Sequence, residues 1–350
     1  MGATRPVRPS PSVAVIAAVA ATNGTPRARA LAAELRGALA VGHRIEAAPG
    51  AGADVVVAVH DGHDVAGGQA LHRLVARAGR PLVTVLADLP ADPSEAQRLV
   101  VDALTARAEV VTVPSHAARL RLLTRYRVDH LAVQVVPTGA SLRPSGLERR
   151  RSDPRPYVLQ WGSLRPGCGL EAAIDAIAAL HGLIPAPRLV IATPAAAGHA
   201  RAHALIAARA ARAGVADRIE VVAIDGPEAL AEHIGAASAV VVPYTDDAVT
   251  SRVLTESLAA GQAVVATAFP FADELLGATG AGVLVPRDDP DAFARALGRV
   301  LCDHRFAAGL RARAPGAVAA ARWPVAAERI GELVDAAATR AARRTAVRSA

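Results

Sequence analysis

The chain has 350 residues, 52% hydrophobic but only 3% aromatic, and carries 39 basic against 32 acidic side chains for a formal charge of +7. That length exceeds what one hydrophobic core normally sustains, so two domains of about 150 residues each are expected. So few aromatics argue against stacking platforms for nucleic acid, and two cysteines, Cys168 and Cys302, supply neither a disulfide framework nor a metal-ligand spacing.

In chain order the first half alternates apolar runs with helical patterns: "SVAVIAAV" then "PRARALAAELRGAL", "ADVVVAVH" then "GQALHRLVARAG", "PLVTVLA" then "SEAQRLVVDALTARA", "EVVTVPS" then "HAARLRLLTRY". Continuous apolar strands with helices between them predict a parallel sheet covered on both faces, a doubly wound α/β unit. After "LAVQVVPTGA" the composition turns to Pro, Ser and Arg from about Ser141 to Pro156, including Arg149 to Arg151, and a boundary is expected there. The rhythm restarts with "YVLQWGS", "RLVIATP", "RIEVVAI", "AVVVPY", "AVVATAF" and "GVLVP". The expected division is 1–153, 154–318, and 319–350 as a terminal helix with a basic tail. The longest apolar stretches fall short of the roughly 18 to 20 residues a membrane span needs, and cysteine usage suits a reducing compartment. A soluble, cytoplasmic chain is expected, at most peripheral at the inner membrane face. In open α/β sheets, ligands gather beyond the carboxyl ends of strands, which directs attention to Asn23 and Gly24, His60 to His63, Pro137 to Gly139, Gly162 to Gly169, Tyr244 to Glu256 and Phe269 to Glu274.

"WGSLRPGCGLEAAIDAIAAL" reads as strand, glycine turn and helix. Gly162, Gly167 and Gly169 allow close backbone approach, and a helix start offers N–H donors to an anion, yet the spacing is neither a dinucleotide fingerprint nor a P-loop. The loop is therefore either a tight turn or an anion cradle. Every basic residue of the chain is arginine, so the cation available there is Arg165. Cys168 at the helix start is either a small residue that fits or a thiol of lowered pKa. In "VVPYTDDAVTSRVLTESLAAGQAVVATAFPF" the carboxylate of Glu256 sits in an apolar, small-residue helix. It is costly there unless it binds something, such as a pair of sugar hydroxyls, or reaches solvent as a surface or capping group. Thr250 and Ser251 add hydroxyls near the start of that helix. "VHDGHDVAGG" offers His60, Asp61, His63 and Asp64, weak as a metal set without a third ligand and readable as proton handling or as a plain polar loop.

These stretches carry a resemblance to the GT-B glycosyltransferases, specifically the retaining family 4. The segment from Val241 to Leu297 looks like the family's long donor-nucleotide motif, "WGSLRPGCGLEAAIDAIAAL" looks like its phosphate-binding strand, loop and helix, and "VVPTG" is similar less closely. The resemblance implies two doubly wound parallel-sheet domains facing a cleft, with a UDP-, GDP- or ADP-sugar donor in the C-terminal domain. A glycan, lipid or small-molecule acceptor would lie against the N-terminal one, with retention of configuration, no cofactor, no obligatory metal and no nucleic-acid partner. Glu256 falls on the glutamate expected at the donor ribose. The family's phosphate-binding Arg falls on Ser163, its Lys on Cys168, its first glutamate on Ala248 or, with one inserted residue, Asp247, and a frequent histidine on Thr138. Arg165 and Arg252 are then the expected substitutes for the missing charge, with His60 on the acceptor side. Were neither arginine to face the cleft, the expectation becomes a non-catalytic interaction or regulatory relative.

Overall fold

The computed structural model describes residues 16–21, 26–46, 52–137, 139–144, 155–194 and 200–349; Asn23, Gly24, Thr138 and Arg149 to Arg151 lie outside them. The first half contains β1 (Ile16–Ala21), α1 (Pro26–Leu39), β2 (Arg44–Glu46), β3 (Val55–His60), α2 (Val65–Ala78), β4 (Leu82–Leu86), α3 (Glu95–Thr105), β5 (Val110–Val113), α4 (His116–Arg125) and β6 (Val133–Val135). All six strands are parallel in the order β2-β1-β3-β4-β5-β6. Alternation along β3 sorts the two faces. Val55, Val57 and Val59 join Leu35 and Leu39 of α1, whereas Val56 and Ala58 join Leu71 and Val75 of α2 and Val100 and Leu104 of α3. Edge strand β2 went unforeseen because "RIE" has no apolar run, and an edge position needs only one partner.

The second half contains β7 (Tyr157–Trp161), α5 (Leu170–Ala179), β8 (Arg188–Pro194), α6 (Ala200–Arg212), β9 (Ile219–Ile224), α7 (Gly226–Ala236), β10 (Ala239–Val242), α8 (Arg252–Ala259), β11 (Val264–Thr267), α9 (Pro270–Thr279), β12 (Val283–Val285), α10 (Pro290–Cys302) and α11 (His304–Ala317). Its parallel order is β12-β11-β10-β7-β8-β9, so the winding reverses between β7 and β10. A reversal of this kind opens a crevice at the carboxyl ends of the two strands, because their following helices depart to opposite faces. The Gly162–Gly169 loop follows β7 and the 243–251 loop follows β10, which makes this junction the place to look for a ligand.

The chain crosses between the halves twice. Near the first crossing Ala140 N donates to Ala321 O at 3.0 Å, forming a bridge to the second crossing just before α12 (Trp323–Ser349). That last helix returns to the first sheet, where Ile330, Val334 and Ala337 are buried against Val55, Val57 and Leu35. The arginine run read as a tail continues the helix instead, and Arg340 and Arg344 pair with Glu109.

Candidate functional site

The glycine loop is fastened to the loop after β10. Gly169, with φ +72°, opens α5 without a side-chain cap, and a Cβ placed there would stand 1.7 Å from the carbonyl oxygen of Pro243. Only glycine permits both that backbone and that approach. Thr245 N donates to Gly167 O at 3.0 Å, and Gln160 Nε2 donates to Cys168 O at 2.8 Å. At the loop's start, Gly162 has φ +116° and lies beside Val253, 3.1 Å from where its Cβ would be. The loop and the first turn of α8 are thus neighbours, and α5 starts there with no side-chain cap from Gly169 and with its Leu170 N–H directed at Cys168, a helix start of the kind that can receive an anion.

Arg165 supplies the loop's charge but spends it locally. Its guanidinium is ion-paired with Asp246 and stacked 4.8 Å from the ring centre of Tyr244. Burial pulls the Arg165 pKa down, but the hydrogen bond and charge of Asp246 outweigh it and leave the value raised. Asp246 Oδ1 is buried with no hydrogen-bond partner among the described residues. Asp247, expected on the donor, pairs through Oδ1 with Arg287 at 2.7 Å, and its carbonyl accepts from Arg121. Ser163 is exposed and Cys168 buried, and burial pushes the Cys168 thiol up, so its ordinary state is the inert, protonated one.

On α8, Ser251 is the N-cap, accepting from Leu254 N at 3.1 Å, with Thr250 half-buried beside it. Glu256 is 1% exposed, its Oε2 accepting from Ser141 N at 3.0 Å and Leu142 N at 2.8 Å at the first crossing between the halves. Oε1 has no hydrogen-bond partner among the described residues and lies 3.7 Å from Arg252 Nε. Burial raises the Glu256 pKa, and the Leu142 N–H, Arg252 and the Ser141 N–H only partly counter it. Arg252 also stands 3.8 Å from Glu34 on α1, and Glu34 accepts from Ser141 Oγ at 3.3 Å. The carboxylate that sequence left open as a surface or capping group is neither: it is a buried acceptor with one oxygen fixed by backbone and the other facing Arg252 without a hydrogen bond among the described residues.

His60 does not join this group. It continues the face of β3 that carries Val56 and Ala58, and its 1%-exposed imidazole lies against Gly68 of α2, whose Cβ would come within 2.9 Å of His60 Cε1. Nδ1 has no hydrogen-bond partner among the described residues, and burial lowers the pKa below 6.5 despite Asp61 and Asp64. A histidine whose folded pKa is depressed contributes stability above its unfolded pKa and loses it as pH falls through the folded one. The stability of the wild type should therefore fall relative to His60→Gln as pH drops from 6.5, measured as the shift between urea midpoints at neutral and acid pH. Parallel behaviour of the two proteins would show that His60 is not buried neutral.

Arg121, Arg287 and Glu34 were missed by sequence reasoning, and Asp246 lay inside the Tyr244 to Glu256 stretch without a role assigned to it. Arg287 directly follows β12, so the strand-end rule could have found it; Arg121 and Glu34 lie inside helices and carry no such signal.

Two parallel six-stranded sheets, each covered by helices, with a reversal crevice in the second, define the GT-B fold. Residues 148–315 match the family model for glycosyl transferases group 1. The D-inositol 3-phosphate glycosyltransferase of Salinispora tropica is 31% identical over 229 residues, which cover 60% of this chain and 45% of that protein, so the chain spans less than half of that relative's length. Among solved structures, sucrose-phosphate synthase from Thermosynechococcus elongatus superposes with a TM-score of 0.74 at 18% identity, covering 92% of this chain and 98% of that one. Anabaena HepE in complex with UDP and glucose gives 0.75 at 17% identity, covering 92% and 100%.

Proposed function

We propose that the chain transfers a sugar from a nucleotide-sugar donor to an acceptor with retention of configuration and without an obligatory metal, as a family 4 glycosyltransferase. The observation that carries this reading is Glu256: a buried carboxylate beside the glycine loop, one oxygen held by two backbone N–H groups and the other facing Arg252 at 3.7 Å with no hydrogen-bond partner among the described residues. A hydroxyl pair such as a ribose diol would satisfy that oxygen and repay its desolvation. The diphosphate would lie between the start of α5 and the 243–251 loop, with the acceptor on the side of residues 1–153 and the donor on that of 154–318. HepE was crystallised with UDP and with UDP-glucose, so uridine is the first base to try. A small phosphorylated polyol of the kind named in the Salinispora relative is the first acceptor. Among the described residues no helix is long and apolar enough to cross a membrane, and we infer a soluble, cytoplasmic site of action. A screen of nucleotide sugars for transfer or hydrolysis tests the activity; release of nucleoside diphosphate from none of them would count against it.

The Arg165–Asp246 pair favours a second reading, a relative that binds a nucleotide without turning it over, because Ser163 and Cys168 bring no charge to replace Arg165 and Arg252 is held against Glu34 and Glu256. The catalytic reading requires Arg165 to leave Asp246 for the phosphate, since charge on the leaving diphosphate must be met. It predicts that Asp246→Asn strengthens nucleoside diphosphate binding, while Arg165→Ala weakens it about tenfold, the half-exposed pair being partly screened. Calorimetric titration of both variants decides: if neither shifts the affinity, the non-catalytic reading stands.

A further inference from the structure

The two halves are joined at the mouth of the crevice by contacts that converge on α4. Both carboxylate oxygens of Glu274, on α9 of the second half, accept from the start of α4: Oε1 from His116 N at 2.9 Å and Oε2 from Ala117 N at 2.8 Å. Ser115 Oγ donates to Val249 O at 2.6 Å. One turn further, Arg121 Nη1 donates to Leu89 O at 2.9 Å in its own half while Nη2 donates to Asp247 O across the divide. The Val249 side chain is itself buried in the core of the first half, among Leu86, Leu89 and Leu122. Phe271 N, at the start of α9, donates to Ala248 O at 3.1 Å. The 245–251 segment is therefore bonded on one side to α9 and on the other to α4, and Glu274 ties those two helices to each other.

We propose that Glu274 and Arg121 are positioning residues, a clasp that holds the 245–251 segment in place only while the two halves are closed on each other. Parting the two halves and releasing this segment are then one event. The functional meaning rests on the donor reading above, in which this segment borders the diphosphate. The physical argument is one of geometry and charge. A carboxylate at a helix start meets two unsatisfied N–H groups and the positive end of the helix dipole, and a guanidinium shared between two carbonyls in different halves fixes their separation. Burial lowers the Arg121 pKa against the pull of Asp88, Asp247 and Tyr126. A long side chain held in that position is ordered for contact and not for solubility.

Amide hydrogen exchange on the full chain without nucleotide tests the clasp, comparing wild type with Glu274→Ala and Arg121→Ala. Both variants should exchange about tenfold faster or more at 116–119 and also at Phe271, whose N–H is bonded to Ala248 O, with peptides from β3 and β10 unchanged, and Arg121→Lys should restore part of the protection. Faster exchange confined to 116–119 in Glu274→Ala, or none at Phe271 in Arg121→Ala, would overturn it. Should a variant not fold, Glu274→Gln keeps one acceptor oxygen and should still speed exchange at both places; unchanged exchange at Phe271 there is equally fatal. Saturating UDP added to the wild type should slow exchange at 245–251. Absence of that effect with the clasp intact counts against the donor reading alone.

Discussion

Gly169→Ala is expected to destabilise the protein by at least about 3 kcal/mol. Two terms act together. The residue has φ +72°, and its new Cβ would stand 1.7 Å from Pro243 O, a backbone atom that cannot rotate away. The Thr245 N to Gly167 O hydrogen bond at 3.0 Å holds the two loops at that separation, so relief requires the loops to part. Gly79, which ends α2, separates the terms: it has φ +61° but nothing within 4 Å of its Cβ position. Gly79→Ala should therefore lose only the left-handed penalty, about 1 to 2 kcal/mol. Urea denaturation of both variants measures the difference, and equal losses would show that close approach is not what requires glycine at 169. Because parted loops also separate the α5 N-terminus from α8, any Gly169→Ala protein that does fold should bind nucleoside diphosphate poorly.

The second large effect is at Glu256. Glu256→Ala strands the N–H groups of Ser141 and Leu142 at a half-buried crossing and leaves Arg252 facing Glu34 alone. A loss of about 3 kcal/mol in stability is expected. Glu256→Gln keeps an oxygen for both N–H groups and isolates the charge. Burial places the native carboxyl pKa above the ordinary value of 4.5. The folded state therefore holds the proton more tightly than the unfolded one. This contribution is fully present below 4.5 and is lost as pH rises through the folded pKa. Glu256→Gln has nothing to ionise, so its stability should rise relative to wild type as pH climbs from 4.5 towards neutrality. A difference independent of pH would mean that the carboxylate is hydrated and not buried.

The strands that position the site were legible because both faces of a parallel sheet are covered, which leaves runs such as "VVVAVH" and "AVVV" unbroken by polar residues. Glycines at 162, 167 and 169 announced the loop, and Glu256 stood out as a charge in an apolar helix. Strand order did not follow from the same pattern. The reversal between β7 and β10 depends on which strands pair, and nothing local encodes it. The partners of the charged residues were hidden for the same reason: Glu256 is held by Ser141 and Leu142, more than 110 residues earlier (|i−j| of 115 and 114), and Asp246 reaches Arg165 across the sheet switch. Arg165 was read as facing a phosphate because its distance from the glycines is short along the chain, whereas its guanidinium found the nearest carboxylate. His60 is different, since its signal was present. Counting the alternation of β3 from Val56 and Ala58 puts its side chain under α2, but a histidine at a strand end drew attention to the loop instead.

The proposed donor site would hold a nucleoside diphosphate between the glycine loop and α8, through the α5 N-terminus and Glu256. Isothermal titration of the wild type with UDP, GDP and ADP, repeated on Glu256→Gln, tests it most directly. Saturable binding of one of the three with Kd below about 1 mM, weakened about tenfold in Glu256→Gln, is the predicted result. No saturable heat from any of them at millimolar concentration would contradict it.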